Sequence, residues 1–204
     1  MTETKVKRYE TFSDGVRSWA GFITHPIARV LEKWGLHPNT ITLVGFGACV
    51  AVAFVLARGH LALGGALLLL ASSLDGLDGT LARLTGAKSR FGAFLDSTLD
   101  RLSEGALLFG LLVALTARGA TLEIYLIYLI LFSSIMVSYT RARAEGVGYP
   151  CEVGLFSRLP RVLLLGIGLI IGWIRPMLII MAVLTWLTVL QRILHVYRVS
   201  RQAP

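Results

Sequence analysis

Charge is scarce in this chain of 204 residues: only 16% are Asp, Glu, Lys or Arg, against 55% hydrophobic, and the mean hydropathy is +0.70. That excludes an ordinary soluble domain, in which about a quarter of the residues are charged. Cysteine is rarer still. Cys49 and Cys151 stand far apart, which excludes a disulfide framework and gives no cysteine-based metal spacing. The histidines, His25, His37, His60 and His195, are scattered near the ends of apolar runs with no ligand pairing, so structural roles are expected of them. The first 35 residues lack the short apolar core of a cleavable signal peptide. The formal charge of +8 comes without a basic motif carrying interleaved aromatics, so no nucleic-acid partner is expected.

What the chain does have is long apolar runs, near residues 40–57, 61–81, 92–116, 122–140, 161–174 and 176–192. Since about 20 residues of helix cross the hydrocarbon of a bilayer, the expected fold is all-α and integral to the membrane, with six transmembrane helices. Cytoplasmic flanks are enriched in Lys and Arg. With a cytoplasmic N-terminus, only Arg58, Arg118 and Arg175 fall on the other side. The positive charge is then mostly a one-sided skirt facing an anionic leaflet, and a multi-pass protein of the cell membrane is expected. Ahead of the first span, Phe12, Val16, Trp19, Ile23, Val30 and Trp34 recur at roughly helical spacing among Arg17, Arg29 and Lys33. This predicts a cytoplasmic amphipathic helix, lying on the membrane or packed on the bundle. The expected organisation is residues 1–36 as a juxtamembrane helix and residues 37–204 as one six-helix membrane domain.

Against this background the stretch LDGLDGTLARLTGAKSRFGAFLDSTLD, residues 74–100, is anomalous, because it sets Asp75, Asp78, Asp96 and Asp100 beside or inside apolar runs. Ionisable groups at membrane depth are costly and mark functional sites. Residues three or four apart share a helix face, so Asp75 pairs with Asp78 at the cytoplasmic end of the second span and Asp96 with Asp100 at the start of the third. Four converging carboxylates repel one another unless protons or cations neutralise them. Hard divalent cations with oxygen ligands, Mg²⁺ or Mn²⁺, meet that need, and two ions can share bridging carboxylates. Helix caps or ion pairs with Arg83 and Arg101 account for one or two of these acids but not for all four. Gly76, Gly79, Gly86 and Gly92 allow close backbone approach, and Arg83 can hold a phosphate beside the metal. A phosphoryl ligand is the natural occupant.

The positions Asp75, Asp78, Gly79, Ala82, Arg83, Gly92, Asp96 and Asp100 follow the pattern D-x2-D-G-x2-A-R-x8-G-x3-D-x3-D. In this the chain resembles the CDP-alcohol phosphotransferase family, and six spans with an amphipathic N-terminus extend the resemblance over essentially its whole length. The resemblance implies an intramembrane displacement: an alcohol attacks the β-phosphorus of a CDP-linked lipid, forms a phosphodiester and releases CMP. It further implies that Asp75, Asp78 and Asp96 bind metal, with Asp75 and Asp96 bridging two ions. Asp100 would complete the second ion's shell and serve as general base, and Gly79 and Arg83 would contact the CDP portion. In HPNTIT, Pro38, Asn39 and Thr40 make an ordinary proline-and-cap helix start. The resemblance adds Pro38, Asn39, Thr40 and Ile41 as CDP contacts, with Ser89 as a further hydroxyl. Relatives also suggest a homodimer.

The acceptor is a separate question, since family members use inositol phosphate, glycerol phosphate, serine, choline and other alcohols. Arg141, Arg158 and Arg192 are each expected at a cytoplasmic span end, where three guanidinium groups can receive a phosphate dianion; ordinary positive-inside decoration is the competing account. The segments SYTRARAE and FGAFLDSTLDR resemble family members of actinobacterial type that use inositol phosphate. The stretch SRLPR departs from them, with Ser157 and Pro160 where glutamates usually flank an arginine pair. Inositol phosphate is therefore the expected acceptor, with glycerol 3-phosphate as the alternative and a diacyl or archaeal-type diether lipid as donor. A divalent-cation transporter would also carry aspartates in its spans. It would hold them near the midplane, commonly in repeated halves, and no second copy of the motif is present.

Overall fold

The computed structural model describes residues 35–72, 75–86 and 89–202, together with residues 29, 31 and 33; for Asp75, Gly76, Asp78, Gly79 and Gln202 the description is of the backbone. The expected amphipathic helix falls largely outside these residues. Among the described residues seven helices follow one another: α1 (Pro38–Ala57), α2 (Leu61–Ser72), α3 (Asp75–Leu84), α4 (Arg90–Thr116), α5 (Thr121–Gly146), α6 (Arg158–Ile171) and α7 (Ile174–Gln202). No strand occurs among the described residues.

Each expected apolar run lies in helix, with two divisions: the run near 61–81 takes in α2 and α3, which starts at Asp75, and the run near 161–174 passes the end of α6 at Ile171 and reaches the start of α7 at Ile174. Three helices, α1, α5 and α7, are long and apolar enough to cross a membrane. α4 has the length, at 27 residues, but carries Arg90, Asp96, Asp100, Arg101 and Glu104 from its start to just past its middle. α2 and α6, with 12 and 14 residues, extend only about 18–21 Å at 1.5 Å per residue. Large apolar side chains face outward all round, among them Phe54, Leu70, Phe109 and Tyr128, each more than 60% exposed. Water would not tolerate so much exposed apolar surface on a monomer; lipid does.

The helix starts follow local chemistry. Pro38 opens α1, where its missing N–H costs nothing. The cap is the preceding His37, whose Nδ1 accepts from the Asn39 N–H at 3.2 Å. Ser89 caps α4 by accepting from the Gly92 N–H at 2.9 Å. α6 ends at Gly172 in the left-handed conformation, φ 76°.

Glycines set the closest helix contacts. A Cβ built on Gly110 would lie 2.3 Å from the carbonyl oxygen of Ala53, and one on Gly92 would lie 3.1 Å from Asn39 Oδ1. Thus α1 and α4 run parallel and in contact along their lengths, both starting at the same end. α2 crosses α6 with Gly65 against Gly166, where a Cβ on Gly65 would lie 2.6 Å from the Gly166 oxygen; small residues permit such approaches within membranes. α5 packs chiefly on α7 and α3 on α1. The shared core includes Leu56, Leu68, Leu108, Ile130, Leu169 and Leu178. At the far end, Arg118 Nη2 donates to Gly59 O at 3.2 Å and Arg175 pairs with Glu123 at 2.8 Å. The three arginines outside the positive skirt, Arg58, Arg118 and Arg175, therefore share that end.

Candidate active site

The opposite end holds the predicted residues. Asp96 and Asp100 lie one turn apart on α4, on one face as their spacing requires. Asp100 Oδ1 accepts from Arg158 Nη1 at 2.8 Å, with about a fifth to a quarter of each side chain exposed. Arg101 Nη1 is 3.8 Å from the other Asp100 oxygen, while its Nε donates to Ser138 Oγ on α5 at 2.9 Å; Arg101 also donates to the Ser97 carbonyl. Asp75 opens α3 and Asp78 follows one turn on, and α3 lies against α1. Arg83, in the last turn of α3, is exposed and donates to Thr80 Oγ1 at 2.9 Å.

The proposed nucleotide contacts are brought together in part. Asn39, Gly92 and the capping Ser89 meet where α1 and α4 begin. Pro38 there is buried, Thr40 exposed and Ile41 half-buried. Gly79 lies on the backbone of α3 between Asp78 and Arg83.

The three acceptor arginines are held differently. Arg158 stands at Asp100. Arg141 is exposed and paired with Glu145 one turn along α5 at 2.8 Å. Arg192 is 5% exposed and clasps both α5 and the loop that follows it: its Nε donates to Val153 O in the loop at 2.9 Å and its Nη1 to Val137 O within α5. The same loop is tied to α7 by Leu155 N–H to Gln191 Oε1 at 3.2 Å, Phe156 N–H to Thr188 Oγ1 at 3.1 Å and a His195–Pro150 carbonyl hydrogen bond at 3.1 Å. Cys151, in this loop, is wholly buried, and burial pushes its thiol above the ordinary range.

Below Asp100, Glu104 forms a two-pronged ion pair with Arg161, Oε1 to Nε at 2.7 Å and Oε2 to Nη2 at 2.9 Å. Neither residue is among the expected site residues. Their signal was available in the spacing: 96, 100 and 104 recur every four residues, and 158 and 161 share a face of α6.

Among the described side chains no group of three or more His, Cys, Asp or Glu gathers as a metal centre. The donors that the motif supplies are all carboxylates, and Asp96 and Asp100 share one face. Oxygen donors of that kind fit a hard divalent cation.

Residues 35–194 match the CDP-alcohol phosphatidyltransferase family, and the chain belongs to that family of membrane enzymes. It is 36% identical over 168 residues to the archaetidylinositol phosphate synthase of Pyrococcus horikoshii, covering 82% of this chain and 87% of the relative. It is also 36% identical over 187 residues to the phosphatidylinositol phosphate synthase of Mycobacteroides abscessus, covering 87% and 84%. Among solved structures it is similar to the phosphatidylinositol phosphate synthase of Mycobacterium tuberculosis with CDP-DAG bound. There the TM-score is 0.81 at 32% identity, over 86% of this chain and 94% of the other. A second structure of that enzyme, in complex with manganese and citrate, matches with a TM-score of 0.75 at 32% identity, over 85% and 88%.

Proposed function

We propose that the protein transfers the phosphatidyl or archaetidyl group of a CDP-linked lipid to inositol phosphate, giving the lipid inositol phosphate and CMP. The observation that carries this is the 2.8 Å contact between Arg158 and Asp100: a cation able to hold an acceptor's phosphate stands beside the carboxylate that the family motif makes the general base. An acceptor phosphate on Arg158 brings the sugar hydroxyl to the level of Asp100, which can take its proton as the oxygen attacks the β-phosphorus. Arg141 can turn from Glu145 to the same phosphate, because an exposed ion pair on a helix holds it weakly. Arg192 secures the loop that leads to Arg158, and in this reading it completes the basic side of the acceptor pocket.

The donor occupies the end where α1 and α4 begin. Pro38, Asn39, Thr40 and Ile41 on α1, Ser89, and Gly79 and Arg83 on α3 surround its CDP portion. Asp75, Asp78, Asp96 and Asp100 hold two divalent ions, Mg²⁺ or Mn²⁺, which supply charge neutralisation at the pyrophosphate and at the departing CMP oxygen. The chain crosses the cell membrane six times as residues 37–204, with residues 1–36 as a cytoplasmic amphipathic helix and the site at the cytoplasmic face. A homodimer is the expected assembly. In support, the basic residues concentrate at the site end and the apolar flanks are exposed.

The test is CMP release by purified protein with Mg²⁺ or Mn²⁺, CDP-lipid in diacyl and diether forms, and a panel of inositol 1-phosphate, glycerol 3-phosphate, inositol and serine. Turnover only with inositol phosphate is expected. Turnover with glycerol 3-phosphate alone reassigns the acceptor, and equal turnover with inositol or serine sinks the phosphate pocket.

A further inference from the structure

The first turn of α6 has no helix cap from its own sequence: Ser157, at the cap position, makes no side-chain cap bond, and no acid lies in the turn. Its third residue, Pro160, contributes no N–H. α6 packs mainly on α2 and more lightly on α7, and neither contact is at Asp100. Yet this turn carries Arg158, whose position against Asp100 matters most to the chemistry proposed above.

The bonds before the helix tie its approach to α7; what ties the turn to α4 is a second rung one step deeper. Arg161, three residues after Arg158, is 3% exposed and takes both oxygens of Glu104, which is 9% exposed. Its remaining nitrogen, Nη1, donates to Phe156 O at 3.0 Å, just ahead of the helix. One guanidinium thus ties the approach to α6, its first turn and α4 together. Glu104 lies four residues after Asp100, so the two acids of α4 face the two arginines of α6 in register. A planar guanidinium held by two parallel hydrogen bonds is fixed in orientation as well as distance.

We infer that Glu104 is a positioning residue: through Arg161 it sets the start of α6 so that Arg158 meets Asp100. This rests on the roles proposed above for Asp100 and Arg158. Replacing a buried ion pair by apolar side chains of similar volume is often neutral or stabilising for a fold. The double variant Glu104→Met/Arg161→Met therefore keeps the bundle and removes only the register. In the absence of lipid and acceptor, Arg158 competes with a divalent ion for Asp100, so a variant that releases Arg158 binds the ion more tightly.

The experiment titrates the detergent-purified full-length protein with Mn²⁺, read by the paramagnetic resonance of free Mn²⁺. Arg158→Met should tighten binding roughly one-and-a-half- to fivefold, the range of one partly screened ion pair. Glu104→Met/Arg161→Met should match it, and the triple variant should bind no more tightly than Arg158→Met alone. Glu104→Gln, which keeps volume and one acceptor oxygen, should fall between and guards against misfolding of the double variant. In CMP release the double variant should raise the acceptor KM well above any change in the donor KM. Wild-type or weaker Mn²⁺ affinity in the double variant overturns the inference, as does an effect that multiplies with that of Arg158→Met. Should the wild type release no CMP with inositol phosphate, the functional proposal falls while the Mn²⁺ series still decides this one.

Discussion

The same substitution, glycine to alanine, should have opposite signs at two positions in the parallel helices that frame the site. Gly47 in α1 is exposed, and a Cβ there meets nothing within 4 Å. Gly47→Ala removes the conformational cost of a helical glycine and should stabilise the protein by about 0.5–1 kcal/mol. Gly110 in α4 is buried against α1, and its Cβ would lie 2.3 Å from the oxygen and 2.9 Å from the carbon of the Ala53 carbonyl. An ordinary contact needs about an ångström more, and backbone on both sides cannot yield as a flexible side chain can. The helices must part, at about 1–3 kcal/mol for overpacking. At roughly 2–4 °C per kcal/mol for a chain of this size, Gly47→Ala should raise the midpoint of thermal unfolding in detergent by up to about 4 °C. Gly110→Ala should lower it by roughly 2–12 °C. Because the contact runs on to Asn39 and Gly92, Gly110→Ala should also raise the donor KM. Equal midpoints for the two variants would refute the close approach of α1 and α4.

Asp100→Asn should abolish CMP release while CDP-lipid binding, read by equilibrium titration, persists; retained turnover removes Asp100 as base. Arg158→Ala loses a charge-assisted hydrogen bond of about 1.5–3 kcal/mol, so the acceptor KM should rise roughly 10- to 150-fold with the donor KM little changed; equal shifts return the arginine to decoration. Chelation of divalent ions should stop turnover, and Mg²⁺ or Mn²⁺ should restore it. Cys151 should resist alkylation in the folded protein. Its raised value means that above about pH 8.5 the unfolded thiol ionises while the folded one keeps its proton. Its contribution to stability therefore falls as pH rises from there, and Cys151→Ala should flatten that part of the pH–stability curve.

The sequence makes the aspartates legible because their information is local: spacings of three and four place Asp75 with Asp78 and Asp96 with Asp100 whatever surrounds them. The helices are legible for the same reason, since apolar runs and Pro38 mark their course and start. The arginines are not. Arg141, Arg158 and Arg192 look alike in the chain, at similar distances from span ends, yet one meets Asp100, one pairs along its own helix and one is spent on backbone carbonyls of α5 and the loop after it. For Arg158 and Arg192 the partners lie about 40 to 60 residues away in the chain. Glu104 was hidden in plain periodicity, because a third acid on the stripe acquires meaning only when Arg161 faces it.

The parallel course of α1 and α4 has an electrostatic consequence. Neighbouring antiparallel helices offset each other's dipoles, whereas these two add, and their positive ends abut where Asn39 meets Gly92. An anionic pyrophosphate arriving there enters a potential generated by backbone alone, before any side chain or metal contributes. The negative ends meet at the opposite face of the bundle, and there lie Arg58, the C-cap of α1, and Arg118, just beyond the C-cap of α4 and bonded to the Gly59 carbonyl. Two of the three arginines that break the one-sided charge pattern, Arg58 and Arg118, are thus counter-charges to the field that favours the donor at the other end, while Arg175 answers Glu123.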